Sequence, residues 1–205
     1  MKHFLVVLMF TSLFMSAQNN TKHIFYLHGM ILEIQGVNAV SETFGEYRYN
    51  NIIEALKNTS AMVHHEVRTQ QTDYNTFCEK ISSQIDSLIA KNVNPKDITV
   101  IGASKGAIMT MTISSINKNP INYILLGANS DRLEKQGDFT LHGRILGIYE
   151  KSDTIAGKDY QFWIDTSNEV EEFKQLEINT GLSHGFLYRP YEAWLKPAKA
   201  WIGIK

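Results

Sequence analysis

A serine between glycines, in Gly102-Ala-Ser-Lys-Gly106, directly follows Ile98-Thr-Val-Ile101, a short run rich in β-branched side chains. The order predicts a strand, a sharp turn and a helix, with Ser104 at the apex. A hydroxyl on such a turn is pushed into the open, where a base and an ester carbonyl can both reach it. The glycines have a steric reason to flank it. The turn strains the backbone of Ser104, and a side chain at either flank would collide with the neighbouring strand or helix. A G-x-S-x-G pattern arises by chance in about one chain of this length in fifteen, so its weight comes from this placement and from what lies downstream.

An alcohol oxygen is a poor nucleophile until an imidazole removes its proton, and the imidazole needs a carboxylate to fix its tautomer and stabilise its charged form. Both partners follow in the chain. The strand expected at Arg144–Tyr149 leads into Glu150-Lys-Ser-Asp153-Thr-Ile-Ala-Gly157, a polar loop with an acid. The strand expected at Phe173–Ile178 leads into Asn179-Thr-Gly-Leu-Ser-His184-Gly-Phe186, a glycine-flanked loop presenting one histidine. Asp153 is the favoured acid. Glu150 is read as a strand-end surface residue and Asp159 as a solvated loop or cap residue. Asp131 is a rival, because a carboxylate there could reach the same imidazole.

These candidates need a scaffold that brings strand ends together. His23–Leu27 predicts a first strand ending at His28-Gly29, and a loop with Gly36, Asn38 and Gly45 follows. Tyr49–Lys57 predicts a helix and Ala61–Val67 a strand. Asp73 can cap a helix over Tyr74–Lys91, where Phe77, Ile81, Ile85, Leu88 and Ile89 share a face. Asn94-Pro95 breaks it before the strand at Ile98–Ile101. The helix after Ser104 runs to about Asn117, Ile121–Leu126 is the next strand, and Tyr191–Ile202 closes the chain as a helix. Strands alternating with helices, several apolar throughout, imply an α/β fold: a mainly parallel sheet covered by helices on both faces. Function in such sheets collects at the carboxyl ends of the strands, and each candidate sits at one.

With these pieces assembled, the chain resembles the α/β-hydrolase superfamily over essentially all of residues 22–205. The matching parts are the strand ending in His28-Gly29, the elbow Gly102–Gly106, the segment Gly147-Ile-Tyr-Glu-Lys-Ser-Asp153 and the Ser183-His184-Gly185 loop before a final helix. The resemblance implies Ser104 as nucleophile, His184 as general base and acid, and Asp153 as orienting acid. It also implies an oxyanion hole from the backbone N–H groups of Lys105 and Met30. There is no HGGG run after the first strand, and no interval is long enough for a cap domain. A shallow, lidless site is therefore expected, walled by the Met30–Ile34 loop and the segment around Asn129–Gly137.

Composition narrows the alternatives. A hydrophobic share of 43% and a charged share of 20% fit one globular domain with a real core. The 20 basic and 21 acidic residues nearly cancel, which leaves no electrostatic footprint for nucleic acid or anionic membranes. Met1-Lys-His3, the almost wholly apolar Phe4–Phe14 and the small residues near Ala17 read as a secretory signal peptide over residues 1–17. The apolar run falls well short of the roughly twenty residues that span a bilayer, so export without an anchor is expected. Cys78 is the only cysteine, so no internal disulfide can form and packing alone must stabilise the fold.

Other residues receive plainer readings. His28 is expected to pack and hydrogen-bond at its strand end, supporting the oxyanion loop. His64 and His65 are adjacent on a strand, point to opposite faces and cannot form one metal site; His142 is placed at a strand start away from the active edge. No metal or cofactor is expected. The Lys105 side chain is read as solvated. Tyr188, Tyr191, Trp194 and Trp201 are read as core and helix-packing residues, whereas Trp163, in a loop past the acid, could border the substrate. The expected activity is hydrolysis of a small acyl substrate, an ester or a related thioester or peptide. The rivals are an acyltransferase with the same triad and a non-catalytic binding protein. Oligomeric state is left open.

Overall fold

The computed structural model describes residues 21–57, 59 and 61–204; the expected leader, residues 1–17, lies outside them. The chain runs β1 (His23–Leu27), α1 (Met30–Gln35), β2 (Val40–Ser41), β3 (Gly45–Glu46), α2 (Tyr49–Lys57), β4 (Met62–His65) and α3 (Tyr74–Ala90). It continues through β5 (Ile98–Ala103), α4 (Lys105–Ile116), β6 (Asn122–Leu126), α5 (Asp131–Gln136), β7 (Gly143–Glu150), α6 (Gln161–Thr166), β8 (Val170–Ile178) and α7 (Glu192–Ile202).

Six strands form one sheet in the order β4-β1-β5-β6-β7-β8, and every neighbouring pair is parallel. The small β2–β3 pair is a separate antiparallel hairpin. Alternation along β1 shows how the sheet is covered. Ile24 and Tyr26 enter a core with α2 residues Ile52, Ile53 and Leu56 and α7 residues Trp194, Leu195, Ala198 and Ile202. Phe25 and Leu27 enter the opposite core with α3 residues Phe77, Cys78, Ile81 and Ile85 and α4 residues Met109, Met111 and Ile113. Successive side chains of a strand point to opposite faces, so β1, apolar throughout, must be covered on both. Each aliphatic or aromatic side chain buried this way contributes about 1.5–3 kcal/mol.

Local signals set several boundaries. The Asp73 carboxylate accepts from the Thr76 N–H at 2.8 Å and starts α3 where capping was expected. The expected strands at 98–101, 144–149 and 173–178 are longer in the structure, whereas that at 61–67 is shorter. The Met30–Ile34 stretch, expected as a loop, is the six-residue helix α1. It buries Leu32 while Met30 and Ile34 lie exposed, so apolar residues occupy more than one face and leave no readable periodicity. The sequence pattern assigns no helix at α5, and Trp163 of α6 is expected in a loop; at six residues each these helices are too short to show a pattern.

Connectivity positions the site. The chain leaves β1 for β4 on one side and returns to β5 on the other, so the strand order reverses between β1 and β5. A crevice opens at the carboxyl ends of the strands where the order reverses. Leu27 pairs with Gly102, which sets His28-Gly29 beside Ala103-Ser104. Two strands further, Glu150 pairs with Ile178, which sets the acid loop beside the histidine loop.

The glycines of the turn are required by contact. A Cβ at Gly102 would overlap the Gly106 carbonyl and the Thr110 hydroxyl; one at Gly106 would overlap the carbonyls of Leu27 and His28. Backbone atoms cannot give way as a flexible side chain can. Gly106→Ala is therefore expected to cost about 2–4 kcal/mol, well beyond the entropic gain of a Gly-to-Ala change. A thermal melt should show Tm lowered by about 5–15 °C.

Candidate active site

Ser104 stands between β5 and α4 with φ 53° and ψ −120°, a left-handed-side conformation that only a tightly held non-glycine residue keeps. Its own backbone supplies the hold. The Ser104 N–H donates to the Leu126 carbonyl at 2.9 Å, and the Ser104 carbonyl accepts from Ala107 and Ile108 at 2.8 and 3.1 Å. The elbow is thus tied both to β6 and to the first turn of α4.

His184 lies in a 3-10 turn over Ser183–Leu187 and is 7% exposed. Its Nε2 is 2.9 Å from Ser104 Oγ and its Nδ1 is 2.7 Å from Asp153 Oδ2. The second Asp153 oxygen accepts from the Ile155 and Ala156 N–H groups at 2.8 and 3.2 Å. Burial by itself would raise the Asp153 carboxyl, but the His184 hydrogen bond and charge and the two N–H donors outweigh it and hold it below its ordinary value. A carboxylate only accepts, so His184 carries its proton on Nδ1 and turns the Nε2 lone pair toward the hydroxyl.

Asp131, the rival acid, is engaged elsewhere: it is largely exposed and pairs with Lys158 Nζ at 2.7 Å. Glu150 departs from its surface assignment. It is fully buried, with one oxygen accepting from the Ser152 N–H and hydroxyl and the other from the Thr180 N–H and hydroxyl. Ser152 Oγ in turn accepts from the Ser183 N–H at 3.1 Å, so Glu150 clamps the acid loop to the histidine loop. A glutamate at a strand end carries no sequence signal of this role; burial alone distinguishes it.

Beside Ser104 and His184 lies a cavity of about 210 Å³, lined among others by Met30, Ile31, Phe44, Tyr47, Ile155 and Tyr188. The expected wall at 129–137 does not line it; Phe44, from the β2–β3 hairpin, and the adjacent Tyr47 do. Tyr188 serves both roles, packing on Phe44 and Tyr47 at ring distances of 5.5 and 4.9 Å while facing the cavity. Trp163 does not border it. It is buried in α6 against Phe139, and its indole N–H donates to Asn129 Oδ1 at 2.8 Å.

On the same helix as Met30, Glu33 joins α1 to α4 and to the segment after β4. Its carboxylate accepts from Lys105 Nζ at 2.5 Å and from Arg68 Nε at 2.9 Å. Lys105 is thus ion-paired rather than solvated. Arg68 also donates through Nη2 to the His28 carbonyl, and its backbone N–H donates to His28 Nε2 at 2.8 Å. Since Nε2 accepts, Nδ1 carries the proton and donates to the Gly29 carbonyl at 2.8 Å. His28 therefore supports the loop, as expected. The other histidines among the described residues are apart from the site: His64 bonds His23, His65 bonds Tyr49, and His142 bonds Glu169. Among the described residues no group of three or more His, Cys, Asp or Glu could hold a metal ion, and no helix is long and apolar enough to cross a membrane.

Solved structures share this architecture. Arabidopsis thaliana SOBER1 matches 89% of this chain and 98% of its own with 14% identity and a TM-score of 0.55. The Pyrococcus furiosus esterase Pf2001 matches 91% of this chain and 84% of its own with 15% identity and a TM-score of 0.56. A Xanthomonas campestris protein assigned to the α/β superfamily of hydrolases matches 89% and 96%, with 11% identity and a TM-score of 0.53. No protein-family model and no curated protein matches the chain. The chain has the α/β-hydrolase fold, in a small form built on six parallel strands.

Burial and then the Arg68 charge push the His28 imidazole from 6.5 down to about 4. Between those values the unfolded chain binds a proton that the folded chain refuses, so stability falls as the pH drops from 6.5 toward 4. The loss attributable to this ring reaches about 2–3 kcal/mol. Chemical denaturation across that window should show the loss in the native chain, and His28→Gln, which keeps an acceptor for the Arg68 N–H, should flatten the slope by close to one proton.

Proposed function

We propose that this protein is an exported serine hydrolase that cleaves carboxylic esters or a related acyl bond. The observation that carries this reading is the single imidazole of His184, hydrogen-bonded at once to Ser104 Oγ and to the buried Asp153 carboxylate. A hydrolase scaffold with that arrangement at its carboxyl edge has what acyl transfer needs.

In this route Ser104 Oγ attacks the carbonyl carbon while its proton passes to His184 Nε2. Asp153 stabilises the imidazolium without taking the proton. The carbonyl oxygen becomes an oxyanion facing the main-chain N–H groups of Met30 and Lys105. Each is the first residue of a helix, where the N–H has no intrahelical partner and the helix end is partly positive. Collapse of the tetrahedral centre expels the alcohol, which takes the proton from His184 and leaves an acyl-enzyme. Water then attacks the acyl carbon, gives its proton to the same nitrogen, and the acid departs as Oγ recovers its hydrogen. No cofactor enters the route. The cavity walls of Met30, Ile31, Phe44 and Ile155 support a small, apolar acyl group as substrate.

A fluorophosphonate probe is expected to label the native chain and not Ser104→Ala. With short p-nitrophenyl esters, Asp153→Asn should lower kcat about a hundred- to ten-thousand-fold, because an amide donor in place of the carboxylate favours the wrong histidine tautomer. Labelling of Ser104→Ala at native strength would remove Ser104 from its role. Export rests on the basic start, the apolar run and the small residues that follow. The secreted chain is expected to begin at Gln18, which intact-mass measurement reads directly.

A further inference from the structure

We propose that the ion pair between Lys105 and Glu33 is a positioning device that sets the two main-chain donors of the oxyanion site relative to each other. The inference rests on the reading of Ser104 as nucleophile. The donors belong to different elements: the Met30 N–H begins α1, and the Lys105 N–H begins α4. Glu33 lies on α1, one turn beyond Met30, and its carboxylate meets the side chain of Lys105 itself at 2.5 Å. One salt bridge therefore spans the gap between the helices that carry the donors.

The carboxylate is a fixed target. Its side chain is 6% exposed, and its other oxygen is held by Arg68, whose side chain is 1% exposed and also holds the His28 carbonyl. An exposed ion pair contributes little because two mobile side chains must be ordered. Here Glu33 is already ordered by Arg68, so only Lys105 pays that entropy. α1 needs the tie, since a six-residue helix has little stability of its own. Gly29, immediately before Met30, adjoins the turn, where a Cβ would be in ordinary contact with Ser104 Cβ at 3.6 Å, so a tilt of α1 moves one donor relative to the nucleophile.

Charge acts in the same direction. Arg68 and Lys105 are cationic, Glu33 is anionic and His28 is neutral, which leaves one net positive charge on the cluster that ties together the elements carrying the two N–H groups. Such a fixed field favours a carbonyl oxygen as it becomes negative more than it favours the neutral ester. Losing the Lys105 charge should thus act on the transition state and spare ground-state binding.

The test compares Lys105→Met and Lys105→Arg with the native chain. Both retain the residue-105 N–H, and Glu33 keeps Arg68 as partner, so the fold is spared; Lys105→Gln replaces Lys105→Met if thermal melting shows that variant unfolded. Turnover of a short p-nitrophenyl ester is measured beside the affinity for phenylboronic acid. Boron accepts the Ser104 Oγ lone pair, the Oγ proton passes to His184, and the tetrahedral adduct carries the negative charge. Lys105→Met is expected to lower kcat and boronate affinity together by about ten-fold or more, with KM within about three-fold. Lys105→Arg should recover at least half of that loss on a logarithmic scale. A fall of less than about five-fold in either quantity, a KM that rises by as much as kcat falls, or no recovery in Lys105→Arg would overturn the inference while native turnover leaves the nucleophile reading standing. A native chain inert to ester and boronate alike would sink both.

Discussion

The imidazole of residue 184 can serve two partners only if both are held still, and most of the structure follows from that constraint. Hydrogen bonds of 2.7 and 2.9 Å from one ring to a carboxylate and a hydroxyl leave little room for error. Three segments from well-separated parts of the chain must therefore end at one edge within a fraction of an ångström. The parallel sheet does this by register, and each loop then carries its own restraint. The elbow is tied to Leu126, the acid is gripped by two N–H groups, and the histidine loop is clamped to the acid loop through Glu150 and Ser152.

The same economy governs the approach of α4 to β1. Bringing the start of the helix against β1 leaves no space for a side chain at 106, and folding the same helix back on β5 leaves none at 102, so both positions require glycine. That contact lies at the reversal of strand order, where the β1 and β5 loops open a crevice. The β1 loop enters it through His28-Gly29-Met30, held by the buried side chains of Arg68 and Glu33 and, through Glu33, by the half-buried Lys105. A buried arginine and glutamate are costly unless paired and hydrogen-bonded. Glu33 meets that condition through Arg68 and Lys105, whereas Arg68 keeps its Nη1 buried without a hydrogen-bond partner.

Legibility from sequence followed the range of the interactions. Periodicity and capping are local, and helices such as α3 and strands such as β1 and β6 fall close to where pattern reading puts them. α1, α5 and α6 were missed because six residues give fewer than two turns, too few for a face to declare itself. The hairpin residue Phe44 and its neighbour Tyr47 wall the cavity, and nothing in their surroundings announces it. By sequence Trp163 reads as a loop aromatic, yet its indole N–H donates to buried Asn129.

The sequence by itself determined the kinds of groups available and their order: a serine on a glycine-bounded turn, an acid after one strand and a histidine after another. It also determined an alternating strand–helix pattern, since apolar runs covered on both faces can be read from hydropathy. Only the tertiary structure decided which carboxylate meets the imidazole. Asp131 and Asp153 both follow strands of the same sheet, and choosing between them needs the partner that each finds, Lys158 for one and His184 for the other. It also decided that Glu150 is a buried link rather than a surface acid, and that the Glu33 side chain is buried between Arg68 and Lys105. Whether a charge is solvated or enclosed depends on loops distant in the chain that fold over it, and spacing along one segment holds no record of them.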